Sequence, residues 1–282
     1  MPAKKIWVVI VALIANFLLF ILKLIFGILF NSIALLSEAV NSFLDLFSTS
    51  TVLYCMKISG KKPDKGHPFG HHGAEPIASL IVATMIAVLG FNVLSKTMMR
   101  FISGETIIRS YIPAVIALIV IFTKIILFLM TYFANKENNI ALKAMAYDHK
   151  NDILISLFVL VGLILASKGL LIFDNIAAIF LGLWIIYSSL ILGRESVKYL
   201  MGEAPDKQFL DQAKKTILKV RGIKGFHDLR AHFVGTVIHI EVHIEMDKKL
   251  NFKKSHSIGK EVQKKLESLK DVGYAFIHID PV

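Results

Sequence analysis

Asp148 and Asp152 stand four residues apart in AYDHKNDILIS (146–156), at the head of a long apolar run. Asn41 and Asp45 repeat the spacing in LLSEAVNSFLDLFSTSTVLYCM (35–56). A helix places residues i and i+4 on one face, so each pair offers two oxygen ligands side by side. Three carboxylates and one amide carbonyl brought together repel unless a cation or protons lie between them. Interhelical hydrogen bonding accounts for Asn41 and for the nearby Ser37, Ser48 and Thr49, but not for three acids. The expected chemistry is therefore a cation site at membrane depth. Glu38 lies one face away and reads as a cap or an entrance residue. Lys124 reads as a partner for a carboxylate, and Lys23 as a chain that snorkels. His149 points roughly 100° away from Asp148 and is expected outside the site.

Two further clusters carry ligand types. In KPDKGHPFGHHGAEP (62–76), Asp64, His67 and His71 are spaced by three and four, and Pro68 and Gly70 make the segment a loop. Together they form a partial zinc-type shell. A polar loop with titrating histidines is the plainer alternative, and His72 is an equal candidate for the place of His71. In TVIHIEVHIEMD (236–247), Ile238, Ile240, Val242, Ile244 and Met246 alternate with His239, Glu241, His243 and Glu245, the pattern of a strand with one buried face. DVGYAFIHIDP (271–281) is a second such strand with His278 and Asp280 on one face. His256 begins the helix between them. That open face is either plain solvated surface or a metal cluster at a contact between two sheets.

The elements that must hold these residues follow from composition. The chain has 282 residues, 55% of them hydrophobic, and a mean hydropathy of +0.63, too apolar for an ordinary soluble domain. A bilayer needs about 20 mostly apolar residues per crossing. Six stretches qualify, near 6–30, 33–56, 76–98, 111–134, 140–167 and 170–193. Ile153 to Ala166 is too short to cross alone, so the fifth helix has to start near Ile140, with Asn138 or Asn139 as N-cap. From residue 203 charges become dense and no run can span. The predicted division is a six-helix transmembrane transport domain over 1–202 and a cytoplasmic domain over 203–282. Residues 207–219 read as a helix, 223–233 as a strand, and Ile258, Val262, Leu266 and Leu269 as a helical stripe. The order α-β-β-α-β predicts an α+β open-faced sandwich, ferredoxin-like, with helices on one side of three strands.

Charge places the chain in a cell membrane. Lys4 and Lys5 before the first span, and Lys57, Lys61, Lys62 and Lys65 after the second, put both termini in the cytoplasm by the positive-inside rule; Lys96, Arg100 and Arg109 oppose it. The net charge of +11 fits basic loops beside anionic lipid better than a nucleic-acid partner. The single cysteine, Cys55, can form no intrachain disulfide. The first apolar run is too long for a signal-peptide core and has no small-residue cleavage site.

Taken together, six spans with NSFLD (41–45), DHKND (148–152), HPFGHHGAE (67–75), FHDLRA (226–231), VHIEMD (242–247) and IHIDP (277–281) resemble the cation diffusion facilitator family over nearly the whole chain. The resemblance implies a homodimeric, proton-coupled exporter of divalent transition metal, not an enzyme, with a metallochaperone-like cytoplasmic domain. By motif it implies a transport site of Asn41, Asp45, Asp148 and Asp152. The loop site would be Asp64, His67 and His71, and the cytoplasmic metal positions His227, His243, His256, His278 and Asp280. Zinc-moving relatives usually carry His at the place of Asp148, and His or Asp at that of Asn41. Carboxylate and carbonyl oxygens suit Mn²⁺ better than imidazole does, so Mn²⁺ is the favoured cargo, with Fe²⁺ and Zn²⁺ open. Gly73 replaces a lysine common in relatives, which leaves no basis for a salt bridge from that position. Metal binding in the tail would draw two copies together. A membrane metal sensor or store that does not transport is the rival reading.

Overall fold

The computed structural model describes residues 3–29, 33–103, 112–135, 139–167 and 171–282. Six long helices come first: α1 (Ala3–Leu29), α2 (Ile33–Ser59), α3 (Ala74–Ser103), α4 (Ile112–Ala134), α5 (Ile140–Ser167) and α6 (Leu171–Leu200). Over their described residues all six predicted apolar stretches are helical; α2, α3 and α6 run past the expected ends. α5 begins where the capping residue predicts, with the Asn139 Oδ1 accepting from the Leu142 N–H at 3.0 Å. Asn138 and Arg109 lie outside the described residues.

The chain divides into two compact units, Met1–Lys61 with Ala74–Ser196, and Lys62–Gly73 with Val197–Val282. In the helical unit α2 packs on α1, α3 and α5, and α4 on α1 and α5. Its interior includes Val9, Val52, Met56, Ile86, Leu142 and Ile185. Polarity is inverted relative to a soluble bundle. Asp45, Lys124, Asp148, His149, Asn151 and Asp152 are buried, while Trp7, Leu18, Phe122, Phe133, Phe180 and Leu190 are exposed. An apolar exterior around a charged interior is what hydrocarbon as solvent selects. Among the described residues, Lys5–Phe26 and Ala74–Met99 are long and apolar enough to cross a bilayer by themselves. Lys23, expected to snorkel, is instead buried among the helices at 4% exposure. Glu38 and Ser37 are on α2, but their side chains lie outside the described residues.

α3 and α6 approach at two glycines. A methyl group on Gly90 would lie 2.8 Å from Ile186 Cγ1 and 3.1 Å from the Gly182 carbonyl oxygen, and one on Gly182 would lie 2.7 Å from Leu94 Cγ. Without a hydrophobic force between helices in lipid, this closeness lets backbone dispersion hold them together.

The second unit carries α7 (Lys207–Leu218), β1 (Ile223–Val234), β2 (Val237–Met246), α8 (Phe252–Glu267) and β3 (Val272–Pro281). Asp206 and Asn251 cap the two helices, their side chains accepting from the N–H groups of Phe209 and Lys254. The sheet order is β1-β2-β3, antiparallel then parallel. Ile238, Ile240, Val242, Ile244 and Met246 are buried against Ala213, Ile217, Val262 and Leu266, so the α+β sandwich with helices on one face is as the alternation predicts. β1 does not alternate cleanly because it holds an extra residue. His227 pairs with His243, but Arg230 pairs with Glu241: three steps on one strand oppose two on the other, a β-bulge. Asp228 occupies it at φ +48°, a left-handed conformation that Asp tolerates better than most residues.

Candidate metal centres

Three clusters of ligand atoms form among the described residues. The deepest joins α2, α4 and α5. Lys124 Nζ lies 2.9 Å from Asp45 Oδ2 and 2.5 Å from Asp152 Oδ2. Asp45 and Asp148 line one small cavity with Leu44, Ser48, Met85 and Leu89. Asp148, His149 and Asp152 bring their ligand atoms within 4.8 Å of one another. The two helix faces named from i, i+4 spacing therefore do meet. Asn41 is on α2 one turn before Asp45, and its side chain lies outside the described residues. His149 is fully buried, its ligand atom lies within 4.8 Å of those of the two α5 acids, and neither ring nitrogen has a hydrogen-bond partner; the described lining of the cavity shared by Asp45 and Asp148 does not include it. A buried imidazole without partners is costly unless something polar occupies the space beside it; Ser48 Oγ, on the cavity wall, is likewise unpartnered. The Ser48 hydroxyl thus gives the wall beside Asp45 and Asp148 one more unpartnered oxygen. Behind α2, the Thr49 hydroxyl donates to the Asp45 carbonyl at 2.8 Å and accepts from Asn16 Nδ2 at 2.9 Å, which fixes the turn that presents Asp45.

The loop cluster forms as its spacing suggests. Asp64 Oδ1 accepts from the N–H groups of His67 at 2.7 Å and Gly66 at 2.9 Å, an Asx turn. His67 Nδ1 and His71 Nε2 lie 3.5 and 3.3 Å from the carboxylate oxygens, and the rings are 4.4 Å apart. The His67 backbone N–H, first, then those of Gly66 and the two imidazoles, holds the Asp64 carboxyl below its usual range, ready to bind a cation. His71, not His72, completes the trio.

In the tail, His227, His243 and His278 occupy one row across all three strands. His227 and His243 converge on Asp280 at 3.4 and 3.0 Å, and His278 approaches its other oxygen at 3.4 Å. His256 is not brought to this cluster: it is exposed on α8, stacked near Phe252. Glu245 was missed. Its carboxylate lies 3.1 Å from His227 Nδ1 and accepts from it in the tautomer protonated there, and a side chain at Gly225 would collide with that carboxylate. Its place on the His243 face of the alternating strand was the available signal.

The open sheet face is not solvated throughout. Phe69 of the 62–73 loop packs edge-on against His239 at 5.0 Å, Tyr274 at 5.8 Å and Phe276 at 6.1 Å, leaving His239 3% exposed. Gly235 turns at φ +62°, and a Cβ there would strike the backbone of His72 and Gly73. His232 and His239 belong to this contact, away from the metal row. Burial, then the charges of His232 and His72, pushes the His239 pKa down. In an unfolded or undocked chain the group takes a proton near pH 6.5, before the docked form does, so stability is lost as pH falls below that value. Amide exchange in residues 66–73 is expected to quicken at pH 5.5 relative to 7.5 after correction for intrinsic rates, and His239→Phe to remove most of that difference.

Comparison with known proteins gives the site its context. Residues 9–201 match the cation efflux transmembrane domain and residues 205–282 the cytoplasmic domain of cation efflux proteins. An uncharacterized transporter of Methanocaldococcus jannaschii is 34% identical, covering 97% of each chain. The manganese efflux system proteins MneS and MneP of Bacillus subtilis are 31% and 32% identical, covering 96% and 97% of this chain and 94% and 95% of theirs. A solved cadmium form of a MamM CTD variant aligns with 27% of this chain and 96% of its own at 21% identity and a TM-score of 0.26. With both family domains matched along almost its full length, the chain belongs to the cation efflux family of membrane transporters.

Proposed function

We propose that this protein exports a divalent transition metal from the cytoplasm in exchange for protons, as a homodimer in the cell membrane, with Mn²⁺ the favoured cargo. Residues 1–202 would form the multi-pass transport domain with both termini cytoplasmic, and 203–282 the metal-binding and dimerisation domain. The observation that carries this reading is the convergence of Asp45, Asp148 and Asp152, each at most 9% exposed, inside an apolar-surfaced helical unit. Buried acids of that density need a mobile cation or protons, and a sensor or store would gain nothing from burying them. Asn41 completes the set by motif. In the inward-facing state metal displaces protons from the three carboxylates, and in the outward-facing state protons displace metal. His149 adds a nitrogen donor that oxygen-only arguments omit. Mn²⁺ remains favoured because carboxylate oxygens dominate and because MneS and MneP, named for manganese efflux, match along their length; Zn²⁺ and Fe²⁺ stay in the test. The loop trio and the His227, His243, His278 and Asp280 row would hold regulatory metal, and His256 stays a candidate ligand by motif.

The test is flux into liposomes holding a metal indicator under an outward proton gradient, with Mn²⁺, Fe²⁺, Zn²⁺ and Cd²⁺. Wild type is expected to move Mn²⁺ best, and Asn41→His to shift preference towards Zn²⁺ by about tenfold, the size of one exchanged ligand contact. Best flux with Zn²⁺ in wild type would overturn the cargo assignment; no flux of any metal from folded dimer would overturn transport.

A further inference from the structure

We propose that Lys124 is a tethered competitor for the transported cation: its ammonium holds the space between Asp45 and Asp152 while no divalent ion is bound and leaves that space when one enters. This rests on the transport reading. The side chain comes from α4, is 1% exposed, and bridges oxygens of α2 and α5 at 2.9 and 2.5 Å. A divalent metal ion binds carboxylate oxygens at about 2.0–2.6 Å. Any position satisfying both oxygens at that range overlaps the ammonium or lies beside it, where two positive charges in a poorly screened interior repel strongly. The two cannot share the bridge.

Charge supplies a second reason. Three carboxylates alone would hold a divalent ion with one negative charge in excess. With the lysine present the cluster carries two, matching one divalent ion. The event is a displacement of one cation by another: the ammonium moves off the bridge as the metal ion takes it. Held close by, it weakens binding enough for the ion to leave, an effect on cargo that a lysine serving only to pack α4 would not have.

The experiment compares Mn²⁺ flux by wild type, Lys124→Gln and Lys124→Arg in the same liposomes. Lys124→Gln is expected to lower the half-saturating Mn²⁺ concentration by about tenfold or more and to lower the maximal rate, because the ion is held more tightly. Lys124→Arg, which keeps the charge, should bring half-saturation back towards the wild-type value. Unchanged or higher half-saturation in folded Lys124→Gln overturns the proposal. A second measurement needs no variant: reductive methylation of wild type with formaldehyde and cyanoborohydride, mapped by mass spectrometry. Labelling of Lys124 should rise when Mn²⁺ is bound; labelling that stays level or falls overturns the displacement. Absent flux in wild type would refute the transport reading itself, whereas wild-type flux with an unshifted Lys124→Gln refutes only this inference.

Discussion

Asp148→Ala is expected to abolish proton-driven metal export, with a fall on the order of 100-fold or more in flux, or roughly 3 kcal/mol, while the protein still folds. Asp148 lines the cavity but does not receive the Lys124 ammonium, whose close partners are Asp45 and Asp152. Removing it leaves no buried cation stranded. Asp152→Ala makes the contrast. It removes a proposed cargo ligand and the 2.5 Å partner of Lys124, and breaking one side of a buried pair costs about 3–5 kcal/mol. The first variant should therefore give folded, inactive dimer in detergent, with a melting temperature near that of wild type. The second should be both inactive and markedly less stable. Near-normal flux in folded Asp148→Ala would remove Asp148 from the transport site.

Gly90→Leu is expected to be nearly as damaging by a different route. The carbonyl oxygen of Gly182 and the chain of Ile186 would meet even a methyl group at 3.1 and 2.8 Å, so an isobutyl group forces α3 from α6. Overpacking of this kind costs about 1–3 kcal/mol even where neighbours relax, and here one obstacle is backbone. Thermal unfolding in detergent, followed by size-exclusion of the surviving dimer, should show a large drop in folded protein. Gly182→Ala should show a smaller one, because it adds only a methyl group and the backbone oxygen it faces, that of Gly90, is 3.3 Å away. Equal stability of Gly90→Leu and wild type would mean that the helices do not depend on this approach.

Much of this architecture is written in local periodicity. Acids at i and i+4 in apolar helices announce a site because burial makes them expensive, and that expense does not depend on which helices pack together. The tail was legible for a related reason: a strict alternation over 238–246 commits one face to the core, and Phe252–Glu267 repeats its apolar residues at helical spacing. What stayed hidden depends on distance along the chain. Lys124 is 79 residues from Asp45, and nothing local shows which carboxylates it joins. His149 comes nearer the two α5 acids than the direction of its Cβ suggests, because helical geometry fixes where a Cβ points, not where a long ring finishes. Glu245 is visible on its strand face, but its tie to His227 needs the neighbouring strand and the space left at Gly225. The docking of Phe69 on His239 joins segments 170 residues apart in sequence, with only a buried-looking aromatic in a polar loop to suggest it. His256 was named by motif resemblance alone, and in the single chain its position on α8 leaves it apart from the row.

The bulge at Asp228 has a consequence for how β1 tolerates change. Losing one residue from a strand usually inverts everything beyond the break, because faces alternate with a period of two. β1 carries a spare residue between its two halves. Were Asp228 deleted, Leu229 would oppose Val242, and His227 would still oppose His243 while Arg230 still opposed Glu241, as they do now. The histidine end and the packing end of the strand would keep their phase, and the shortening would be absorbed as a loss of local twist. A second irregularity, between Ile223 and Gly225, gives the same latitude at Lys224. In this strand the positions where length is most forgiving are those that flank His227, so the row of histidines across the sheet is buffered against a kind of mutation that would ordinarily erase it.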